Sequence, residues 1–229
     1  MTDNLVMEIT GGAQEFIVDL VKDFFDVNNI KDRDSLIDIG FDDYCEPQYS
    51  DTKVATGATK IVLIPLYKNF VIKIPSYGES DYGPWSGAYS KRLEELGYEI
   101  DTEDYCLLEA NLYERAVEEG VSQFLVPTAY FGMVNNIPVY VQPKIHYLYS
   151  KAKHDETSEY SYASIKNSYI LTPDCGAELL LYYTQNEVVK FLQFVVDYGI
   201  NDLEACRNGW YVNEYQRYVF WDYSGFHDI

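Results

Sequence analysis

The stretch Lys53–Pro75, KVATGATKIVLIPLYKNFVIKIP, decides how the rest of the chain is read. It holds two apolar runs rich in β-branched residues, Ile61–Leu66 and Phe70–Ile74, separated by Tyr67-Lys68-Asn69. Short β-branched runs bounded by turn residues predict strands, so this is a hairpin, preceded by a turn at Gly57. Lys73 lies among apolar residues in the second run. Two readings follow. On an edge strand Lys73 points to solvent; facing inward it needs an anionic partner, because desolvating an unpaired ammonium is costly.

Working outward, AQEFIVDLVKDFFDV at 13–27 predicts a helix. Phe16, Ile17, Leu20, Val21, Phe24 and Phe25 recur at helical spacing, with Asp19, Lys22, Asp23 and Asp26 between them. A one-sided apolar stripe must pack on something. It either covers the sheet or forms a contact between two copies. A short apolar segment, Ser35–Phe41, follows. On the other side, 76–104 reads as a Gly-, Ser-, Tyr- and acid-rich insertion with a helical piece near Lys91–Leu96. A helix is expected over Tyr105–Glu119, then a strand pair, FLVPTAYFGMV and IPVYVQPKI, turning at Asn135-Asn136. The polar stretch 150–169 reads as a mobile linker or loop. A helix is expected over Thr184–Tyr198, burying Val188, Val189, Phe191, Leu192, Val195 and Val196. A loop over Gly199–Gly209 then leads to a closing hairpin in WYVNEYQRYVFWDYSGFHDI. The order is α+β.

The 229 residues suffice for a domain with a real core. The chain lacks an apolar run long enough for a membrane span and opens on acidic residues without a signal-peptide pattern, so a cytoplasmic protein without membrane association is expected. Cys45, Cys106, Cys175 and Cys206 are too dispersed for zinc or a disulfide framework and read as reduced thiols. The net charge of -20 argues against direct nucleic-acid binding, since phosphate contacts need Lys and Arg. It reads either as a solvated surface or as a surface for a basic protein partner, nucleic-acid mimicry included. The 23 Tyr add amphipathic groups of the kind enriched at interfaces.

A Gly-containing turn, two strands, a strand lysine, a helix with Glu109, a long helix and then Asp202, Asn208 and Asp222 resemble the protein-kinase fold. The strand V-I-K-I resembles the kinase V-A-I-K pattern. Glu109-Ala-Asn-Leu-Tyr-Glu-Arg-Ala-Val-Glu-Glu-Gly120 resembles the equivalent helix of aminoglycoside phosphotransferases. Y-G-I-N-D-L-E-A-C-R-N-G at 198–209 resembles the catalytic loop, and V-F-W-D-Y-S-G at 219–225 the strand leading into D-F-G. The resemblance implies a two-lobed domain. A helical extension over 1–52 would precede a β-rich N-lobe over 53–145, and a reduced, truncated C-lobe would span 146–229. It implies that Lys73 and Gly57 hold ATP phosphates and that Glu109 pairs with Lys73, Glu114 being the fallback. Asp202 would act on the acceptor hydroxyl, and Asn208 and Asp222 would hold Mg2+.

The pattern also departs from the family. Gly57 stands alone where kinases carry three glycines, Ile200-Asn201 replace His-Arg, and Glu204 replaces a lysine. Asn208 lies one residue late, with Arg207 at the expected place. Only seven residues follow Asp222, so the C-terminal helices of an ordinary protein kinase are not expected. Two functions follow as expectations. One is a degenerate, pseudokinase-like binding module whose acidic surface captures a protein, in the manner of small acidic phage products that antagonise host factors. The other is a minimal ATP- and Mg2+-dependent phosphotransferase acting on a hydroxyl.

Overall fold

The structure, a computed structural model, describes residues 2–37, 51–56, 60–75, 104–147, 162–164, 179–198, 200, 202–210 and 217–224. Mixed helix and sheet divide into two compact units. The first comprises residues 1–84, 101–110 and 128–144, the second the remainder.

The first unit is built on a five-stranded antiparallel sheet. Its strands are β1 (Thr52–Thr56), β2 (Lys60–Pro65), β3 (Phe70–Pro75), β4 (Ala129–Val134) and β5 (Ile137–Pro143). Their order is β1-β2-β3-β5-β4, so β3 is the central strand. The expected hairpin β2–β3 is present, and a third strand, β1, pairs with β2 ahead of it. The β4–β5 hairpin closes on Asn135 and Asn136, both with φ near +50 to +60°, the backbone a tight two-residue turn requires and Asn tolerates.

Alternation along each strand gives the sheet two different faces. Register sets Ile61 opposite Ile74, and Leu63 opposite Ile72, which in turn faces Val141. These residues share one core with helices α1 (Thr2–Thr10), α2 (Gln14–Val27) and α3 (Arg33–Ile37). The α2 stripe Ile17, Leu20, Val21, Phe24 and Phe25 is buried there, so it covers the sheet of its own chain. Phe16, at the margin, is more than a third exposed and meets the Phe70 ring edge-on.

The opposite face presents Val62 against Lys73, and Lys73 against Tyr140. Helix α4 (Tyr105–Glu118) brings its first turns, through Ala110, into this unit. There Cys106 and Ala110 pack with Tyr140.

The second unit holds α5 (Gln185–Asp197) and a second antiparallel sheet. Strand β8 (Asp202–Trp210) pairs with β9 (Arg217–Ser224), with β6 (His146–Tyr147) near its C-terminal end and with β7 (Tyr162–Ser164) in its middle. Three expectations are corrected here. Residues 202–209 are strand rather than loop: Asp202-Leu203-Glu204-Ala205 alternates at period two, and strands pairing with it satisfy its backbone groups. The polar stretch 150–169 contains β7. The buried side of α5 is Val188, Phe191, Phe194 and Val195, whereas Val189 and Val196 are exposed and Leu192 is half-buried. The stripe is rotated toward Phe194 because the aromatic rings dominate: Phe191 stacks on Phe124 and on Phe220. Helix α5 starts at a capping box, Thr184 with Glu187, the side chain of each meeting the other's backbone N–H.

Candidate functional site: a buried two-lysine, one-glutamate cluster

Lys73 sits in the central strand, not at an edge, and its side chain faces away from the helix-covered core. A lysine here has no route to water and must find an anion. It finds Glu109: Lys73 Nζ lies 2.6 Å from Glu109 Oε2. Glu114, five residues along α4, lies about 140° further round the helix and is not the partner that Lys73 takes.

The other carboxylate oxygen of Glu109, Oε1, pairs with Lys60 of β2. Lys60 is opposite Pro75 and Val62 is opposite Lys73, so the two lysines occupy neighbouring rungs of one face. Such like charges are tolerable because one carboxylate lies between them. Lys60 is 5 % exposed, Lys73 4 % and Glu109 0 %, so the whole cluster is out of water.

Neutral groups complete it. Thr128 Oγ1 lies 3.4 Å from Glu109 Oε2, and Gln142 Nε2 donates to Thr128 at 3.0 Å. Asp104 is the anchor at the helix start. Its Oδ1 accepts the backbone N–H of Cys106 and Leu107, both at 2.9 Å, which caps α4. Its Oδ2 accepts the Tyr140 hydroxyl at 2.6 Å, which ties that cap to β5. Cys106, fully buried in this setting, has its thiol pushed well above the usual range by burial and then by Asp104. It is an inert thiol rather than a nucleophile.

The remaining residues named from sequence fall elsewhere. Gly57 lies outside the described residues. Asp202 opens β8 opposite Ser224, and Asp222 is on β9 opposite Glu204. Asn208 lies on β8 in the irregular stretch between Cys206 and Gly209. The side chains of these three residues lie outside what is described. Among the described residues no cluster of three His, Cys, Asp or Glu could hold a metal ion. None of their helices is long and apolar enough to cross a membrane.

Sequence reasoning missed Lys60, Asp104, Thr128, Tyr140 and Gln142. Lys60 had a signal, since it shares the period-two face of Val62 once β2 is paired with β3. Gln142 had one as well, a single amide in the apolar run Ile137–Pro143.

Chemically, the cluster is an ion-pair anchor between a sheet and a helix, with both carboxylate oxygens and both ammonium groups engaged. No protein family, no curated protein and no solved structure matches the chain.

Proposed function

We propose that this chain is a degenerate kinase-like binding module. In this reading the lysine–glutamate pair of the kinase fold survives as an internal brace, and an acidic surface takes a protein partner with a basic face. The observation that carries it is the burial of Lys73 against Glu109, with Lys60 on the same carboxylate. A lysine that grips phosphates must be reachable by them. The strand lysine of an active kinase keeps its glutamate while it contacts phosphate. Here Lys73 is also sealed from water, so a nucleotide would first have to open the site to reach its ammonium.

The outer face of α2 supports the partner side of this reading. Glu15, Asp19, Asp23 and Asp26 are all exposed and recur at helical spacing on the side away from the core. On a chain of net charge -20 such a ridge attracts cations and speeds encounter with a basic protein. Affinity for that partner should fall steeply with salt, because exposed charges are screened beyond about 8 Å at physiological ionic strength.

One observation favours the alternative, an ATP- and Mg2+-dependent phosphotransferase. Asp202 and Asp222 lie two rungs apart on the β8–β9 ladder, the right residue types for metal and acceptor within one strand pair. A thermal-shift titration with ATP and Mg2+ separates the two readings. A nucleotide at a hundredfold its dissociation constant adds about 2.7 kcal/mol, on the order of 5–11 °C for a chain of this size. The binding-module reading expects no shift at millimolar ATP. A shift of that size in the wild type, lost in Lys73→Met, would replace it with the phosphotransferase.

A further inference from the structure

The Glu109 carboxylate is shared between two strands, and this has a consequence for what Lys73 does. Oε1 pairs with Lys60 on β2, while Oε2 pairs with Lys73 on β3 and has the Thr128 hydroxyl beside it. Each oxygen therefore has its own cation. We propose that Lys60 is a second, self-sufficient anchor for Glu109, a positioning residue that keeps α4 docked on the sheet when Lys73 is lost.

With one lysine on the glutamate, docking of the helix would depend on that lysine. Removing Lys73 would then leave a wholly buried carboxylate without a cation, one of the costliest single changes a core can suffer. With Lys60 in place, Lys73→Met leaves an intact Lys60–Glu109 pair and an apolar chain of similar size in the lysine's stead. The same holds in reverse for Lys60→Met. Loss of both removes the two cations seated on the Glu109 carboxylate. The Asp104 cap and its bond from Tyr140 hold the first turn of α4, but they offer Glu109 no cation. Among the described residues, the charged and titratable groups around Glu109 include Lys60 from β2, Lys73 from β3, Tyr140 from β5, and Asp104 and Cys106 at the start of α4.

The test is a double-mutant cycle on the full chain, with denaturation midpoints measured for Lys60→Met, Lys73→Met and the pair. The expected result is strong non-additivity: the double variant loses about twice the sum of the two single losses, or more. A second readout follows the charge itself. In the double variant the Glu109 carboxyl, buried without a cation, holds its proton to higher pH than in the unfolded chain. Its stability is then greatest below the unfolded carboxylate range and is lost as pH rises through the raised folded value. Acidification from about pH 8 to about pH 5 should recover stability in the double variant relative to wild type, and in neither single variant.

If the double variant does not fold, Lys60→Met/Glu109→Met/Lys73→Met, which removes the stranded charge, should fold. Additive single losses overturn the proposal, as does a triple variant as unfolded as the double. So does Lys73→Met behaving like the double variant in its pH profile. The inference holds for either reading of the site, so its failure would leave the nucleotide titration above unaffected.

Discussion

Helix α4 carries two ion clusters of opposite character. Near its start, Glu109 joins Lys60 and Lys73 in the buried cluster of the first unit. In its last turns, within the second unit, Arg115 pairs with Glu118 and Glu119 and donates through Nε to the Tyr198 hydroxyl at 2.8 Å. The Tyr198 hydroxyl donates in turn to Glu119 at 2.6 Å. The residue types overlap and the geometry is equally close. What separates the clusters is water: Glu109 is fully buried, whereas the Glu118 side chain is 49 % exposed. Inside, solvent cannot help, so each charged group must be met by protein groups, and two ammonium groups share one carboxylate. Outside, solvent and salt screen each charge and the pairs become individually weak.

The contrast between the two clusters rests most heavily on Glu109. Glu109→Gln keeps the shape and hydrogen-bonding reach of the side chain but leaves two buried ammonium groups facing an amide. The expected loss is on the order of 3–5 kcal/mol, the range for orphaning a buried ion, read from urea denaturation. A loss below about 1 kcal/mol would mean that the cluster is hydrated in solution and that burial is not what distinguishes it.

How much of this was legible in the sequence differs between the two faces of the sheet. Lys73 stood out because an ammonium inside Phe70–Pro75 contradicts its apolar neighbours, and the helix with Glu109 offered an anion within the order of elements. Lys60 did not stand out, because it follows a Gly-containing turn and reads as the polar start of a strand. Only the register with β3 sets it beside Lys73. Asp104 was hidden in the acidic run Asp101-Thr102-Glu103-Asp104, where one capping carboxylate looks like its neighbours. β1 was missed because Val54 is its one β-branched residue between the terminal threonines, too little local signal before β2 pairs with it. The sequence of β8 reads as a loop for a related reason. Leu203, Ala205 and Cys206 are weak strand formers, and their conformation is fixed by β9 and β7 rather than by their own propensity.

In the second unit, Tyr198 links the two charges of the outer cluster. It is the residue just past α5, buried, with a hydroxyl between Arg115 and Glu119. Its phenol is held above the ordinary tyrosine range by burial and then by the Glu119 carboxylate. Tyr198→Phe keeps the ring against Phe194 and removes only the bridge, so the expected loss is about 1 kcal/mol. The sign of the pH effect follows from the raised phenol. The increment is fully present below the unfolded tyrosine range and is lost as pH rises through the folded value. Alkaline unfolding of the wild type should therefore steepen above about pH 10, and Tyr198→Phe should flatten that limb. Identical alkaline limbs would show that the hydroxyl does not bridge the two charges in solution.

The smallest effect is the most discriminating about mechanism. Glu118 is half exposed and pairs with an arginine that keeps Glu119 and Tyr198 when Glu118 is neutralised. Glu118→Gln removes one charge from an already over-supplied guanidinium, so the change should stay within about 0.5 kcal/mol. It should shrink further in about 1 M salt, where exposed charges are screened within roughly 3 Å. Glu109→Gln should keep nearly its whole loss in the same salt, because ions cannot reach a site that water does not. If instead the two losses fell together with salt, the buried cluster would have to open to solvent in solution. Lys73 would then be reachable by a nucleotide after all, and its burial would no longer oppose nucleotide binding.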